Sequence, residues 1–258
     1  MPPGFLAVSS QPSTRLPLEE FHAWYEEEHI PLRLQSEDLR QAFLSGARYH
    51  AVDRDDEKDP SVLERWLAMY EIDDTRTFRD ASYTSLREKR SVRETSVMAR
   101  LEVLVRRTGE VVGVWGDGED TGRTTGMRAG GPSGSVITHG LNIVGEGDQD
   151  AVMKEWAESA ARRMQISEGW VRMRVVRVLE SGKTRMGAPA PVSDEERMAY
   201  FVVHEFLDEE SALKIAMDLT KISSVAEVKG SARVEVGGLR VWKLYKAYPC
   251  LAQGNVEL

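Results

Sequence analysis

Trp66-Leu67-Ala68-Met69-Tyr70-Glu71-Ile72-Asp73-Asp74 and Tyr200-Phe201-Val202-Val203-His204-Glu205-Phe206-Leu207-Asp208 are the two stretches that decide the fold. Each is an aromatic-rich apolar run, broken by one glutamate and closed by an aspartate, which reads as a strand followed by a helix cap. Aligned, they set Tyr70 opposite His204 and Glu71 opposite Glu205. Working outward, the same elements recur on both sides. In the first half, strands are expected at Phe5–Ser9, Phe43–Val52, Trp66–Ile72 and Ala99–Arg107. Helices fall at about Leu18–Ile30 and Arg76–Lys89, the second capped by Asp73 or Asp74. This βαββαβ order is the ferredoxin-like unit. In the second half, strands Val136–Val144, Trp170–Leu179, Ala199–Leu207 and Leu239–Tyr245 alternate with helices Ala151–Met164 and Glu209–Ile222 in the same order.

Between the halves, residues 109–134 are crowded with glycines, among them Gly113, Gly116, Gly118 and Gly122, and show little apolar periodicity. They read as a linker or long mobile loop. No glycine is followed by Lys-Ser or Lys-Thr at phosphate-loop spacing. The expected organisation is a unit over 1–108, the Gly-rich segment over 109–134, a second unit over 135–249 and a tail over 250–258. Two such units can pair their sheets face to face, so the fold class is α+β: tandem ferredoxin-like units forming a pseudo-dimeric α+β barrel. The units satisfy each other's sheets, so a monomer suffices, and a homodimer stays open.

Composition narrows the partners. The 258 residues carry a net charge of -8, which argues against nucleic acid and anionic membrane. No apolar run is long enough to span a bilayer. The N-terminal residues lack the pattern of a secretory signal. The single cysteine, Cys250, excludes an internal disulfide framework. A cytoplasmic setting is expected.

The sharpest chemical feature is Phe21-His22-Ala23-Trp24-Tyr25-Glu26-Glu27-Glu28-His29-Ile30-Pro31-Leu32-Arg33. Leu18, Phe21, Tyr25 and Leu32 recur at helical spacing as one apolar stripe. Pro31 disfavours helix at Ile30, which predicts the helix end there and puts His29 in its last turn. The dipole at that end favours a protonated imidazole, as would Glu26 and Glu28, whereas an apolar wall would lower its pKa. His22, Glu26 and His29 share a sector, but His22 and His29 stand about 10 Å apart along the axis, too far to ligate one metal ion. No zinc motif, nucleotide fingerprint or nucleophile elbow occurs, and nothing beyond a lone histidine marks a haem pocket. No metal and no cofactor is expected.

The pattern Trp24-Tyr25-x-x-Glu28-His29-x-Pro31-Leu32-Arg33 resembles the signature helix of EthD-like domains in the dimeric α+β barrel superfamily, above all fungal members. Arg48-Tyr49, the Trp66–Tyr70 strand and Tyr83-Thr84-Ser85-Leu86-Arg87 resemble the same group. The likeness covers roughly the first hundred residues. In the second half it is architectural, with Ala160 at the His29 position and Trp156 at that of Tyr25. The resemblance implies a ligand pocket between sheet and helices. Superfamily members include polyketide cyclases, muconolactone-type isomerases, cofactor-free monooxygenases, dehydratases, haem enzymes and stress-response proteins.

Together these readings lead to an expected cofactor-independent tailoring enzyme of secondary metabolism. It would bind a small hydrophobic or phenolic metabolite in one main barrel pocket, in the first half. Cyclisation, dehydration, decarboxylation or isomerisation would proceed by general acid–base catalysis. His29 is the expected acid–base group, the alternative being a helix-end histidine that satisfies carbonyls. Tyr25 would orient it, or simply fill the core. Tyr70 and His204 should share a sheet face and could polarise a substrate oxygen, or be satisfied core residues. Candidate substrate contacts are Tyr49, His50, Arg33, Arg48, Trp66 and His139. The two arginines could hold a carboxylate or phenolate, or be solvated at the surface. The strand alternation puts Arg48 and His50 on one face and Ala47, Tyr49 and Ala51 on the other, with the inward face undecided. Alternatives in function are a non-catalytic stress-response or ligand-binding barrel and a cofactor-free monooxygenase.

Overall fold

A computed structural model describes residues 1–53, 64–116, 133–193, 197–222, 226–227 and 233–248. The first half contributes strands β1 (Gly4–Pro12), β2 (Phe43–Ala51), β3 (Trp66–Ile72) and β4 (Leu101–Gly116). The second contributes β5 (Ser135–Val144), β6 (Trp170–Arg185), the short β7 (Ala188–Ala190), β8 (Tyr200–Phe206), the short β9 (Ala226–Glu227) and β10 (Arg233–Tyr248). Neighbouring strands run β2-β3-β1-β4-β6-β8-β5-β10, and β10 returns to β2, so eight antiparallel strands close into a barrel. The first four and the last four follow the same ferredoxin-like order, joined by the equivalent seams β4–β6 and β10–β2. The fold is α+β, with tandem ferredoxin-like units forming a pseudo-dimeric barrel. Closure leaves the main sheet without open edges.

The period-2 alternation sorts side chains into three cores. Inside the barrel, Phe5, Ala7, Tyr49, Leu67, Met69 and Val203 belong to one packed apolar cluster. Outside, one cluster joins Leu6, Ala68 and Tyr70 to the first-half helices, and another joins Ile137, Met173 and Val202 to those of the second half. The matched glutamates take equivalent inward places. Glu71 accepts hydrogen bonds from Ser45 Oγ (2.5 Å) and Arg174 Nη2 (2.6 Å). Glu205 accepts one from Ser133 Oγ (3.3 Å) and lies within 3.9 Å of Arg172 and Arg174. Glu205 is buried and Glu71 partly so, and carboxylates withdrawn from water persist only with such partners.

The helices are α1 (Leu18–Trp24), α2 (Pro31–Leu34), α3 (Ala81–Thr84), α4 (Val92–Ala99), α5 (Gln149–Met164) and α6 (Glu209–Ile222). Three differences from the sequence reading matter. First, the opening helix does not stop at Ile30. A π turn over Tyr25–His29 links α1 to α2, with Ile30 N–H donating to the Tyr25 carbonyl at 2.9 Å. Pro31 lacks an N–H and its ring crowds the carbonyl four residues back; the wider π turn accommodates both. His29 is therefore mid-helix, away from a terminal dipole. Second, the expected helix over Arg76–Lys89 is a series of short turns, Thr75–Arg79, Ala81–Thr84 and Ser85–Arg87, capped by Asp74 and Asp80. The continuous helix there is α4, begun by Ser91, whose Oγ accepts from Glu94 N–H at 2.9 Å. Third, residues 109–116, expected in the linker, belong to β4. At Gly109 a Cβ would lie 2.4 Å from the Arg177 carbonyl oxygen, so the glycine serves close strand approach at the β4–β6 seam. Residues 117–132 and the tail with Cys250 lie outside the described residues.

Candidate active site

The π turn sets the site. It projects Tyr25 and His29 toward the outer face of β1, β3 and β4, where a cavity of about 650 Å³ lies between sheet and helices. Leu6, Val8 and Leu104 supply apolar sheet surface, and Trp24, Tyr25, His29, Arg33 and Glu94 the helical side. The far wall carries Tyr83 and Arg106 of the first half with Glu180, Gly182 and Lys183 of the second. Inside the barrel packs the cluster around Phe5 and Tyr49; the cleft lies on the outer sheet face, between sheet and helices as expected, and both halves build it.

His29 Nδ1 lies 3.2 Å from Glu94 Oε1, and its ring is gripped by Trp24 and Tyr25, centroids 4.4 and 4.9 Å away. Burial pulls the imidazole down to about 3, the Arg33 cation adds to this, and Glu94 opposes it. Burial would raise the Glu94 carboxyl, but His29 and Arg33 outweigh it and hold that group below its usual value. At neutral pH the pair is thus a neutral imidazole donating Nδ1–H to a carboxylate. That tautomer leaves Nε2 as an acceptor. The protonated histidine expected from a helix C-terminus is replaced by a neutral one. In an NMR titration, His29 should stay neutral with Nδ1 protonated from pH 8 to pH 5; a midpoint near 6.5 would contradict this environment.

Tyr70 faces the same cavity from β3. It is fully buried, its hydroxyl has no protein partner, and burial raises its pKa, so it remains a hydrogen-bond donor. Tyr25 is likewise buried and protonated. Arg33 Nη1 donates to the His29 carbonyl at 2.8 Å, which fixes the cation beside the imidazole while its buried Nε lacks a partner.

The other expected site residues lie elsewhere. Arg48, on the helix-facing side of β2, is 1% exposed and stacked 3.9 Å from the Tyr25 ring centroid. Its Nη2 donates to His22 Nδ1 at 2.8 Å, so it supports Tyr25 from behind and does not line the cleft. Trp66 packs against His22 and Arg48, and half-buried His50 sits beside Trp66. Tyr49 lies inside the barrel. His204 does share the outer sheet face with Tyr70, but in the other half, where its Nε2 meets His139 Nε2 at 3.3 Å. His139 Nδ1–H donates to the Gly140 carbonyl, so His204 Nε2–H is the donor of that contact and His204 Nδ1 is left unpartnered. Trp156 packs edge-on to His139 where the first half has Tyr25. Glu94 and Arg106 escaped the sequence reading. Glu94 carried a signal, the Ser-x-x-Glu spacing of a capping box from Ser91.

All five histidines are held below 6.5, each chiefly by burial, His22 and His139 to about 4. Between pH 6.5 and about 4 the unfolded chain therefore binds protons that the folded chain refuses, and stability falls as pH falls. The melting temperature should decline steadily from pH 6.5 to 4.5; a flat profile across that window would show that these histidines titrate normally when folded.

Among the described residues, no three His, Cys, Asp or Glu side chains converge to hold a metal ion, and no helix is long and apolar enough to cross a membrane. No family model and no curated protein matches the chain. Solved structures do. An anthrone oxidase-like protein superposes with a TM-score of 0.53 at 10% identity, covering 96% of this chain and 92% of that one. A haem-binding protein from Thermus thermophilus gives 0.48 at 14%, covering 95% and 92%. A chlorite dismutase from Candidatus Nitrospira defluvii gives 0.48 at 11%, covering 95% and 91%. The likeness to the first of these is to the closed α+β barrel described above. At such low identity the likeness concerns the fold, and any chemistry resides in the side chains of the cleft.

Proposed function

We propose that this barrel is a cofactor-independent, EthD-like tailoring enzyme of fungal-type secondary metabolism that moves protons on a phenolic or polyketide-derived metabolite. The observation that carries the reading is the His29–Glu94 pair on the wall of a cavity large enough for a multi-ring ligand. His29 Nε2 takes a proton from an acidic C–H or O–H of the substrate, and the electron pair stays behind as an enolate or phenolate. The imidazolium so formed sits beside the Glu94 carboxylate and the new anion, and both offset the burial that keeps it neutral at rest. Tyr70 O–H donates to the developing oxyanion. Returning the proton to another carbon gives isomerisation; attack of the enolate carbon on a carbonyl carbon of the same molecule, whose oxygen takes the proton as the C=O π bond opens, gives cyclisation; returning the proton to a leaving hydroxyl gives dehydration.

Glu94 acts through His29 and is a positioning residue. Replacing it by Gln should lower turnover by about 10-fold or more with little change in KM, because the amide accepts the Nδ1–H bond without stabilising the imidazolium. Asp should recover part of the loss. An unchanged turnover in Glu94→Gln would remove the pair from the mechanism.

A further inference from the structure

The chain carries a net charge of -8, yet the cleft is locally cationic. Arg33, Arg87, Arg90, Arg106 and Lys183 line it against three glutamates. Arg106 stands out among them. It follows Leu104 on the outer face of β4, a position the alternation would otherwise give to an apolar side chain, and its side chain is 15% exposed. Its neighbours across the sheet are Val8 and Gly182. A Cβ built on Gly182 meets nothing within 4 Å, so the space beside the guanidinium is open.

The guanidinium is also under-used. Its Nε and Nη2, the edge that fits a planar carboxylate bidentately, both point at one neutral oxygen, the Tyr83 hydroxyl, at 3.3 Å each. Its Nη1 reaches Glu180 at 3.3 Å, and that carboxylate is 61% exposed and well screened. Among the described residues the guanidinium's contacts are long ones to a phenol and a solvated glutamate, an arrangement suited to an anion of matching shape.

We infer that the ligand of this cleft is an aromatic carboxylic acid, its carboxylate displacing the Tyr83 hydroxyl from the Nε/Nη2 edge of Arg106 and taking the Tyr83 O–H as a further donor, and its ring body lying on Leu6, Val8 and Leu104. This inference rests on the cleft being the ligand site proposed above, and it adds the substrate class and the residue that selects it. Arg106 selects and orients, while His29 carries the chemistry.

The test compares two fluorescent probes with one ring body, 3-hydroxy-2-naphthoate and 2-naphthol, titrated against the full chain. Wild type should bind the acid at least 10-fold more tightly. Arg106→Leu should erase that preference while leaving 2-naphthol affinity within 2-fold, and Arg106→Lys should restore only part of it, since a point charge lacks the fork. Tyr83→Phe, which keeps Arg106, should weaken the acid 2- to 5-fold and keeps the inference falsifiable if Arg106→Leu does not fold. Equal affinity of wild type for the two probes, or an undiminished preference in Arg106→Leu, overturns it. His29→Asn should leave the preference intact, so failure here and failure of the proton-transfer reading are separately visible.

Discussion

Replacing His29 by Asn should reduce turnover by roughly 10²- to 10⁴-fold, the usual contribution of a positioned acid–base group, while the melting temperature moves by only a few degrees. The amide nitrogen of Asn can still donate toward Glu94, so the buried carboxylate keeps a partner and the turn keeps its packing. What disappears is the Nε2 acceptor. Steady-state kinetics and thermal unfolding on the same preparation decide the matter. If activity and folded fraction fall together, His29 is a structural member of the Trp24–Tyr25–His29 ring stack and no catalyst.

The largest stability effect is expected from Arg48→Leu, at about 3–5 kcal/mol, from a buried acceptor left without its donor together with the lost cation–π contacts of the aromatic cage. For a chain of this size that lowers the melting temperature by roughly 6–20 °C. Arg48 is where the first and last parts of the chain meet. Its guanidinium lies over the Tyr25 ring and near Tyr245, donates to His22 Nδ1, and approaches Glu26 Oε1 at 3.4 Å and Tyr248 Oη at 3.5 Å. Leucine removes the cation from that aromatic cage and leaves His22 without its donor. Glu26 retains Tyr248 at 2.5 Å and Lys246. Because Tyr25 rests on Arg48, the variant should also widen the cleft and weaken ligand binding. A loss below about 1 kcal/mol in urea unfolding would show that the cage contributes little.

Arg48 also shows what could and could not be read from sequence. The alternation in Phe43–Ala51 correctly separates Arg48 and His50 from Ala47, Tyr49 and Ala51. Which set faces inward depends on how the sheet closes, and closure joins strands nearly 200 residues apart through β10–β2. An arginine read as a solvated or ligand-binding group thus turned out to be sealed. The duplication was legible because strand period, helix caps and element order are local. The match of Glu71 with Glu205 falls on two inward-facing carboxylates, Glu205 buried and Glu71 partly so. His29 and Tyr25 were legible for the same reason, as neighbours on one helix. Glu94 meets His29 across 65 residues, and Gly182 meets Arg106 only at the seam between halves. No local periodicity encodes such contacts. The helix end was misplaced because Pro31 is a general breaker, whereas a π turn ahead of it lets the helix continue.

The most direct test of proton chemistry at His29 is to incubate wild type and His29→Asn with a phenolic and polyketide extract and follow both by mass spectrometry. The expected result is one metabolite that wild type converts to a product of equal mass, or of mass lower by water or carbon dioxide, and that the variant binds unchanged. A metabolite held unchanged by both would contradict catalysis and make the cleft a binding site. A product heavier by oxygen would contradict simple proton transfer and point to a cofactor-free oxygenase.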